Sequence, residues 1–294
     1  MKPRVGITLQ PDQRYLELLQ SVFDDADYFE VAPETAWTRS EGADGWQPNG
    51  FYARFLDEGR RRQKPFVAHS VHGSLGTVAA TDRARQQAWL QRVARDHEDF
   101  GFEWWTDHLG ASVLGEHAVA LPIALPMDVD MAAVVRERLL EMQRVVPDVG
   151  FENSAFYFLL GDWFDEPEFF DQILGESGAH LLLDLHNVYT IASNLGRDAF
   201  DYVQQIDLSH VIEIHVSGGA ESPPEWLPNK RSLRLDSHDD AVPEPVWQLL
   251  ERVVPHCANL RGVTLERMEG TVSADQAASV HAELHRIREI VGHV

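Results

Sequence analysis

Apolar residues along this chain fall into two alternating rhythms. Short runs rich in Val, Ile, Leu and aromatic residues give way to longer stretches with apolar positions every three or four residues. The first rhythm is that of buried strands, the second that of amphipathic helices. The runs "VGITL" (5–9), "YFEVA" (28–32), "FVAHSV" (66–71), "WWTDHLG" (104–110), "VGFENS" (149–154), "LLLDLH" (181–186), "VIEIHVSG" (211–218) and "GVTLERM" (262–268) are the predicted strands. Helical spacing covers, among others, 82–100, 130–146, 243–254 and 274–291. Strands that alternate with helices in this way predict a parallel α/β sheet, and eight of them close a (β/α)8 TIM barrel. An open doubly wound sheet would want a glycine-rich phosphate loop after its first strand, and none is present; Gly218 and Gly219 are an isolated pair. No repeat or linker divides the chain, so residues 1–294 are expected to form a single domain.

Two connections are long, 33–50 and 218–235, and both follow strands, which puts them on the barrel face where active sites of this architecture sit. They carry Trp37, Trp46 and Trp226, with Lys230, Arg231 and Arg234 in an otherwise acidic protein. Ordinary surface loops and a substrate-binding rim both fit that composition. With 44% hydrophobic residues the chain can bury a large core, and its net charge of -22 argues against nucleic acid or an anionic membrane as partner. The same charge favours cationic ligands, metal ions included. A single cysteine, Cys257, excludes an internal disulfide and a thiolate metal site, and its position at a helix end reads as an inert thiol. The N-terminal segment has no signal-peptide core and no apolar run is long enough to span a bilayer, so a cytoplasmic protein is expected.

The chemistry emerges when the strand ends are read together. Strand three ends in His69, strand four in His108, strand five in Glu152 and Asn153, and strand six in Asp184, with His186 and Asn187 beyond. Strand seven gives His215, the following segment Asp236 and His238, and strand eight Glu266. Asp184 and His186 stand two apart, so an extended chain would project both to one face. In a barrel all these ends converge on one mouth. Four carboxylates crowded there would repel one another at several kcal/mol per buried ion. Lysine is absent from the strand ends and arginine appears only as Arg267, so bound cations should compensate. Imidazole with carboxylate and no thiolate suits iron, manganese or zinc, with open positions leaning toward catalytic iron. Four histidines and four carboxylates exceed the needs of one ion with open positions, which points to two or three. His72 lies off the alternating face, as a supporting residue. His97, His117, His180, His210, His256, His281, His285 and His293 fall in helices, loops or strand starts and read as structural.

Two barrel families place ligands this way: the xylose isomerase-like and endonuclease-IV-like enzymes, and the multinuclear non-heme iron-dependent oxidative enzymes. The chain resembles the second more closely over almost its whole length, through "AHSVHGSLG", "TDHLG", "FENS", "LLLDLHNVYTIASNLGRDAFDYV", "IEIHVSGG", "DSHDDAVPEPVWQL" and "TLERM". The resemblance implies iron ligands at His69, His108, Glu152, Asp184, His215, Asp236, His238 and Glu266. It places Asn153 and Asn187 where they ligate a third iron or orient its ligands. Asp184 and His238 are the candidates for a role in the chemistry beyond ligation. The chain departs from the family at His186, where asparagine is usual, and at "EVAPETAW", which alters the pocket near Glu34. The implied function is oxidation, with dioxygen, of a side chain in a ribosomally made precursor peptide, cysteine above all, by two or three irons in mixed ferrous and ferric states. Zinc or manganese are the alternative metals, and a metal-dependent hydrolase or isomerase of a sugar or phosphate is the alternative function. Trp104, Trp105 and Tyr189 are expected to line a dry mouth. A separate leader-binding protein is the implied partner, because no leader-binding domain is evident in the chain.

Overall fold

The computed structural model describes residues 2–40, 45–114 and 117–293. Eight parallel strands close a barrel: β1 (Arg4–Leu9), β2 (Tyr28–Val31), β3 (Phe66–Ser70), β4 (Trp105–His108), β5 (Val149–Glu152), β6 (His180–Asp184), β7 (Val211–Val216) and β8 (Gly262–Leu265). Each pairs with its neighbours in sequence, and β8 returns to β1. The main helices that follow them in turn are α1 (Gln20–Asp25), α2 (Gly50–Arg62), α3 (Arg83–Phe100), α4 (Val129–Met142), α5 (Glu166–Ser177), α6 (Leu185–Leu195), α7 (Glu244–Val253) and α8 (Ala277–Gly292). No helix of the described residues is long and apolar enough to cross a membrane.

Alternation sorts each strand into two faces. Val5, Ile7 and Leu9 of β1 and Val263 and Leu265 of β8 face outward into the layer beneath the helices. α8 closes the ring by laying Val280, Leu284, Ile287 and Val291 against it, and each buried aliphatic side chain contributes roughly 1.5–3 kcal/mol. The inward face carries a small separate apolar layer of Tyr28, Val67, Trp104 and Ile212 at the end where the strands begin. Glycine makes room for it. A Cβ on Gly6 would stand 2.3 Å from the Tyr28 ring, and one on Gly262 would stand 2.4 Å from its hydroxyl. Only hydrogen at those positions lets the phenol lie across the barrel floor.

Three sequence expectations change here. β6 stops at Asp184, which turns to cap α6 by accepting the Asn187 N–H at 2.6 Å. His186 therefore sits in the first turn of a helix, and no extended chain aligns it with Asp184. Trp104 belongs to the floor, its Nε1 donating to Glu213 at 2.6 Å, and Trp105 points outward and donates to Ser70 Oγ at 2.8 Å. Neither lines the mouth. Tyr189 is half-buried on α6 beneath the guanidinium of Arg234, which lies 4.7 Å from its ring centroid. Two antiparallel hairpins that periodicity did not predict, Trp37–Arg39 with Trp46–Pro48 and Ala111–Leu114 with His117–Ile123, stand on the face where the strands end. Cys257 is buried and burial pushes its thiol up to about 12, as an inert core residue requires.

One buried acid outside the mouth contributes to how stability varies with pH. Glu166, at the start of α5, accepts the Tyr202 hydroxyl at 2.5 Å, and burial pushes it up from 4.5 to about 7. Between those values the folded chain keeps a proton that the unfolded chain releases. Its contribution is therefore complete below pH 4.5 and lost as pH rises through about 7. Glu166→Gln, which has nothing to ionise, is expected to gain roughly 3 kcal/mol over the parent at pH 8 relative to pH 4.5. Denaturant unfolding of both proteins across that range measures it; parallel curves would refute the raised acid.

Candidate metal centre

Parallel register builds the site. It sets His108 beside Glu152 on β4 and β5, and Asp184 beside His215 on β6 and β7. The ends of these strands point into the barrel, and the loop after β7 swings Asp236 and His238 over the same opening. His238 is held at φ 50, a left-handed conformation uncommon for a side-chain-bearing residue, with its carbonyl accepting Met268 N–H at 3.1 Å.

Glu152 is the hub. Its Oε2 lies 3.4 Å from His69 Nε2 and 3.1 Å from His108 Nε2, and its Oε1 lies 3.9 Å from His215 Nδ1. His215 Nδ1 is also 4.0 Å from Asp184 Oδ2 and 3.2 Å from Glu266 Oε2. Farther along the opening, His238 Nδ1 is 3.4 Å from Glu266 Oε1, and Asp236 Oδ1 is 2.6 Å from His238 Nε2 and 3.3 Å from His186 Nδ1. Ligand atoms of His69, His108 and Glu152, of Glu152, Asp184 and His215, and of His186, Asp236 and His238 each gather within 4.8 Å. All the strand-end histidines and carboxylates thus come together, and His186 joins them from its helix. Asn153 does not face them: its amide donates to Asp184 O at 3.0 Å and accepts Asp184 N–H at 2.8 Å. Asn187 donates to Glu152 and to Asn153 O, and leaves its Oδ1 buried and unpartnered.

The far sides of the imidazoles are fixed by neighbours. His69 Nδ1 bonds Thr106 Oγ1 at 2.8 Å, His108 Nδ1 bonds Ser70 O at 3.0 Å, and His215 Nε2 bonds Glu30 Oε2 at 2.9 Å. Such outer partners select a tautomer and aim the other ring nitrogen at a ligand. His69 Nε2, Glu152 Oε2, Asp184 Oδ2, His215 Nδ1, His238 Nδ1 and Glu266 Oε2 are all buried without a hydrogen-bond partner. Buried polar atoms are rarely left so, and here they face one another.

Charge tells the same story. Burial raises Glu152 and Asp184 well above the carboxylate range, and pushes His69 well below the ordinary imidazole value. Burial also opposes the charges on Glu266 and Asp236, but His238 beside both holds them down, Glu266 to about 2. The ion pairs these carboxylates make are with histidines. Arg267 turns away to Glu283 on α8 at 3.0 Å and to Asp240 O. A polyvalent cation bound among them would let these acids ionise together. The donor set, imidazole and carboxylate without sulfur, fits iron, manganese or zinc.

Sequence reading missed Glu30 and Glu213. Both stand in apolar strands, Glu213 two before His215 and so on the same inward face. The lone acid in "YFEV" was the available signal for Glu30. Glu34, singled out for the pocket, accepts Val71 N–H at 2.6 Å and borders a cleft of about 610 Å³ on the strand-end face. Trp37, Trp46, Trp89, Arg39 and His72 line that cleft, which places His72 in its wall. Of the other expected rim residues, Trp226 is exposed. Tyr157, which sequence did not flag, accepts Asp236 N–H through its hydroxyl at 2.9 Å.

The fold is shared with D-psicose 3-epimerase from Clostridium cellulolyticum H10, at a TM-score of 0.63 and 10% identity over 98% of this chain and 99% of that one. The IOLI protein, solved with a binding zinc atom, gives 0.59 and 11% identity over 99% of this chain and 98% of that one. These likenesses show the fold alone, that of a TIM barrel. Among curated proteins, a UPF0276 protein of Pseudomonas aeruginosa is 30% identical over 90% of this chain and 84% of its own length. Residues 4–292 match the family described as RiPP precursor modification enzyme MbnB/TglH/ChrH, and the chain belongs to that family.

Proposed function

We propose that the barrel mouth binds two or three iron ions and that the protein oxidises a side chain, cysteine above all, of a ribosomally made precursor peptide with dioxygen. The observation that carries this reading is the set of unpartnered buried atoms on His69, Glu152, Asp184, His215, His238 and Glu266, all facing one opening. His69, His108 and Glu152 would hold one ion, and Glu152, Asp184, His215 and Glu266 a second. His186, Asp236 and His238 would hold a third, with imidazole from His186 in place of the family's asparagine. When bound, the irons would supply Lewis acidity toward a thiolate and would pass to dioxygen the electrons that the oxidised side chain gives up.

The chain's own residues do the rest. Thr106, the Ser70 carbonyl and Glu30 keep three imidazoles in register. Asn153 pins the backbone of Asp184, and Tyr157 pins that of Asp236, so both carboxylates are aimed before any substrate arrives. The cleft beside the mouth, with three indoles in its walls, suits an extended peptide whose modified residue reaches over the rim. A separate protein would grip the leader.

The test is metal analysis and oxygen uptake. Protein prepared anaerobically with ferrous iron is expected to retain two or three irons per chain and to consume oxygen only with its peptide. Zinc or manganese with turnover of a sugar or phosphate and no oxygen uptake would overturn the reading in favour of an isomerase or hydrolase.

A further inference from the structure

A second group of metal-ligating side chains lies on the outer ring, at the end of the barrel where the strands begin. Asp25 closes α1 just before β2, and His281 and His285 stand one turn apart on α8. Positions four apart share a helix face. The two rings lie 4.7 Å apart between centroids, and both Nε2 atoms approach the same oxygen, Asp25 Oδ2, at 2.6 Å for His281 and 3.2 Å for His285. The three ligand atoms fall within 4.8 Å of one another. We propose that Asp25, His281 and His285 bind a divalent transition ion of the zinc class, independently of whatever the mouth holds.

The geometry needs little change to accept the ion. Zinc bonds of roughly 2.0–2.2 Å in a tetrahedron set its ligand atoms roughly 3.3 Å apart. His285 already has that spacing from Asp25, and His281 need withdraw only slightly, which an imidazole near the surface can do. The backbone beneath is fixed: Arg288 donates to Asp25 O and pairs with Asp27 at 3.0 Å and 3.1 Å. Its positive charge is thereby matched by Asp27. Two imidazoles and one carboxylate without sulfur select zinc, nickel or copper over calcium or magnesium. Side-chain exposures of 44% for Asp25 and 52% for His285 leave a fourth position to water. The site joins the first helix of the ring to the last, across the seam where β8 meets β1. A bound ion would therefore clamp the closure of the barrel.

Equilibrium dialysis of wild type, His285→Ala and Asp25→Asn against ZnCl2, with thermal unfolding of the same samples, tests this. Each variant is expected to bind one zinc fewer per chain than wild type. The rise in Tm caused by zinc should be smaller in the variants by roughly 5 °C at a hundredfold excess over the dissociation constant. His285→Cys, which keeps a zinc ligand, should restore both. Glu152→Gln, which alters only the mouth, should leave the difference intact. Equal zinc content in wild type and His285→Ala, or a zinc-edge anomalous peak absent from these side chains in a crystal, would overturn the proposal.

Discussion

Replacing Glu152 by glutamine is expected to strip the mouth of most of its metal while leaving the barrel folded. The carboxylate lies between His69 and His108 on one side and His215 on the other, so two of the three ligand groups share it. An amide of the same shape keeps the oxygen that accepts from Asn187 but loses the charge that a cation needs. Changes to outer partners alone cost about 10–100-fold in metal affinity. Loss of a shared ligand should cost at least ~100-fold, with at most one iron retained per chain and peptide-dependent oxygen uptake reduced in proportion. The folded apoprotein should not suffer. Burial raises Glu152 well above the carboxylate range, so the parent carries an acid whose ionisation is opposed. Glutamine removes that conflict. Unchanged iron stoichiometry in Glu152→Gln, with native circular dichroism, would remove the basis for the metal centre.

Glu213→Ala is expected to do the reverse, lowering stability and sparing the metal. Glu213 lies at the floor, where it accepts from Trp104 Nε1 at 2.6 Å, from Thr264 Oγ1 at 2.5 Å and from the Tyr28 hydroxyl at 3.0 Å. Tyr28 and Thr264 can still bond each other, at 2.6 Å, but the Trp104 indole keeps no acceptor and a cavity opens beneath it. Stranding a buried donor and removing buried volume together cost about 3–5 kcal/mol. In a chain of this size that is a fall in Tm of roughly 5–8 °C. The ligand atoms above are held by Glu30, Thr106 and Ser70, so iron content should stay close to the parent's. Equal loss of iron and stability would mean that floor and mouth form one unit, and the assignment of Glu213 to the scaffold would fall. Thermal unfolding and metal analysis of one preparation separate the two outcomes.

Much of this was legible in the linear chain, because a barrel reads its strands through a period of two. Apolar runs bounded by helical stretches predicted β1 to β8, and the residues at their ends named the candidate ligands before any contact was known. His69, His108, Glu152, Asp184, His215 and Glu266 reach the mouth for that reason, and Asp236 and His238 reach it from the loop after β7. The same period, applied one step further back, finds Glu213 beneath His215. Sequence failed where the backbone changed direction. "LLLDLH" reads as continuous strand, yet the Asp184 side chain captures Asn187 N–H and starts a helix at Leu185. A local hydrogen bond outweighed the apolar pattern, and His186 reaches the site by helical geometry. The tandem tryptophans misled for a related reason. Alternation sends Trp104 inward and Trp105 outward, but it does not reveal that Trp104 stands at the floor.

Sequence by itself determined the architecture, the kinds of ligand and the absence of basic residues to neutralise them, since these depend on composition and on spacing along one strand. Tertiary structure alone decided which atoms face one another: that Glu152 is shared, that Glu30 from β2 orients His215 from β7, and that Asp25 meets His281 and His285. Glu30 and His215 lie 185 residues apart, and Asp25 and His281 lie 256 apart. No periodicity extends over such separations. Only closure of the ring, driven by burial of the outward apolar faces beneath the helices, brings them within bonding distance.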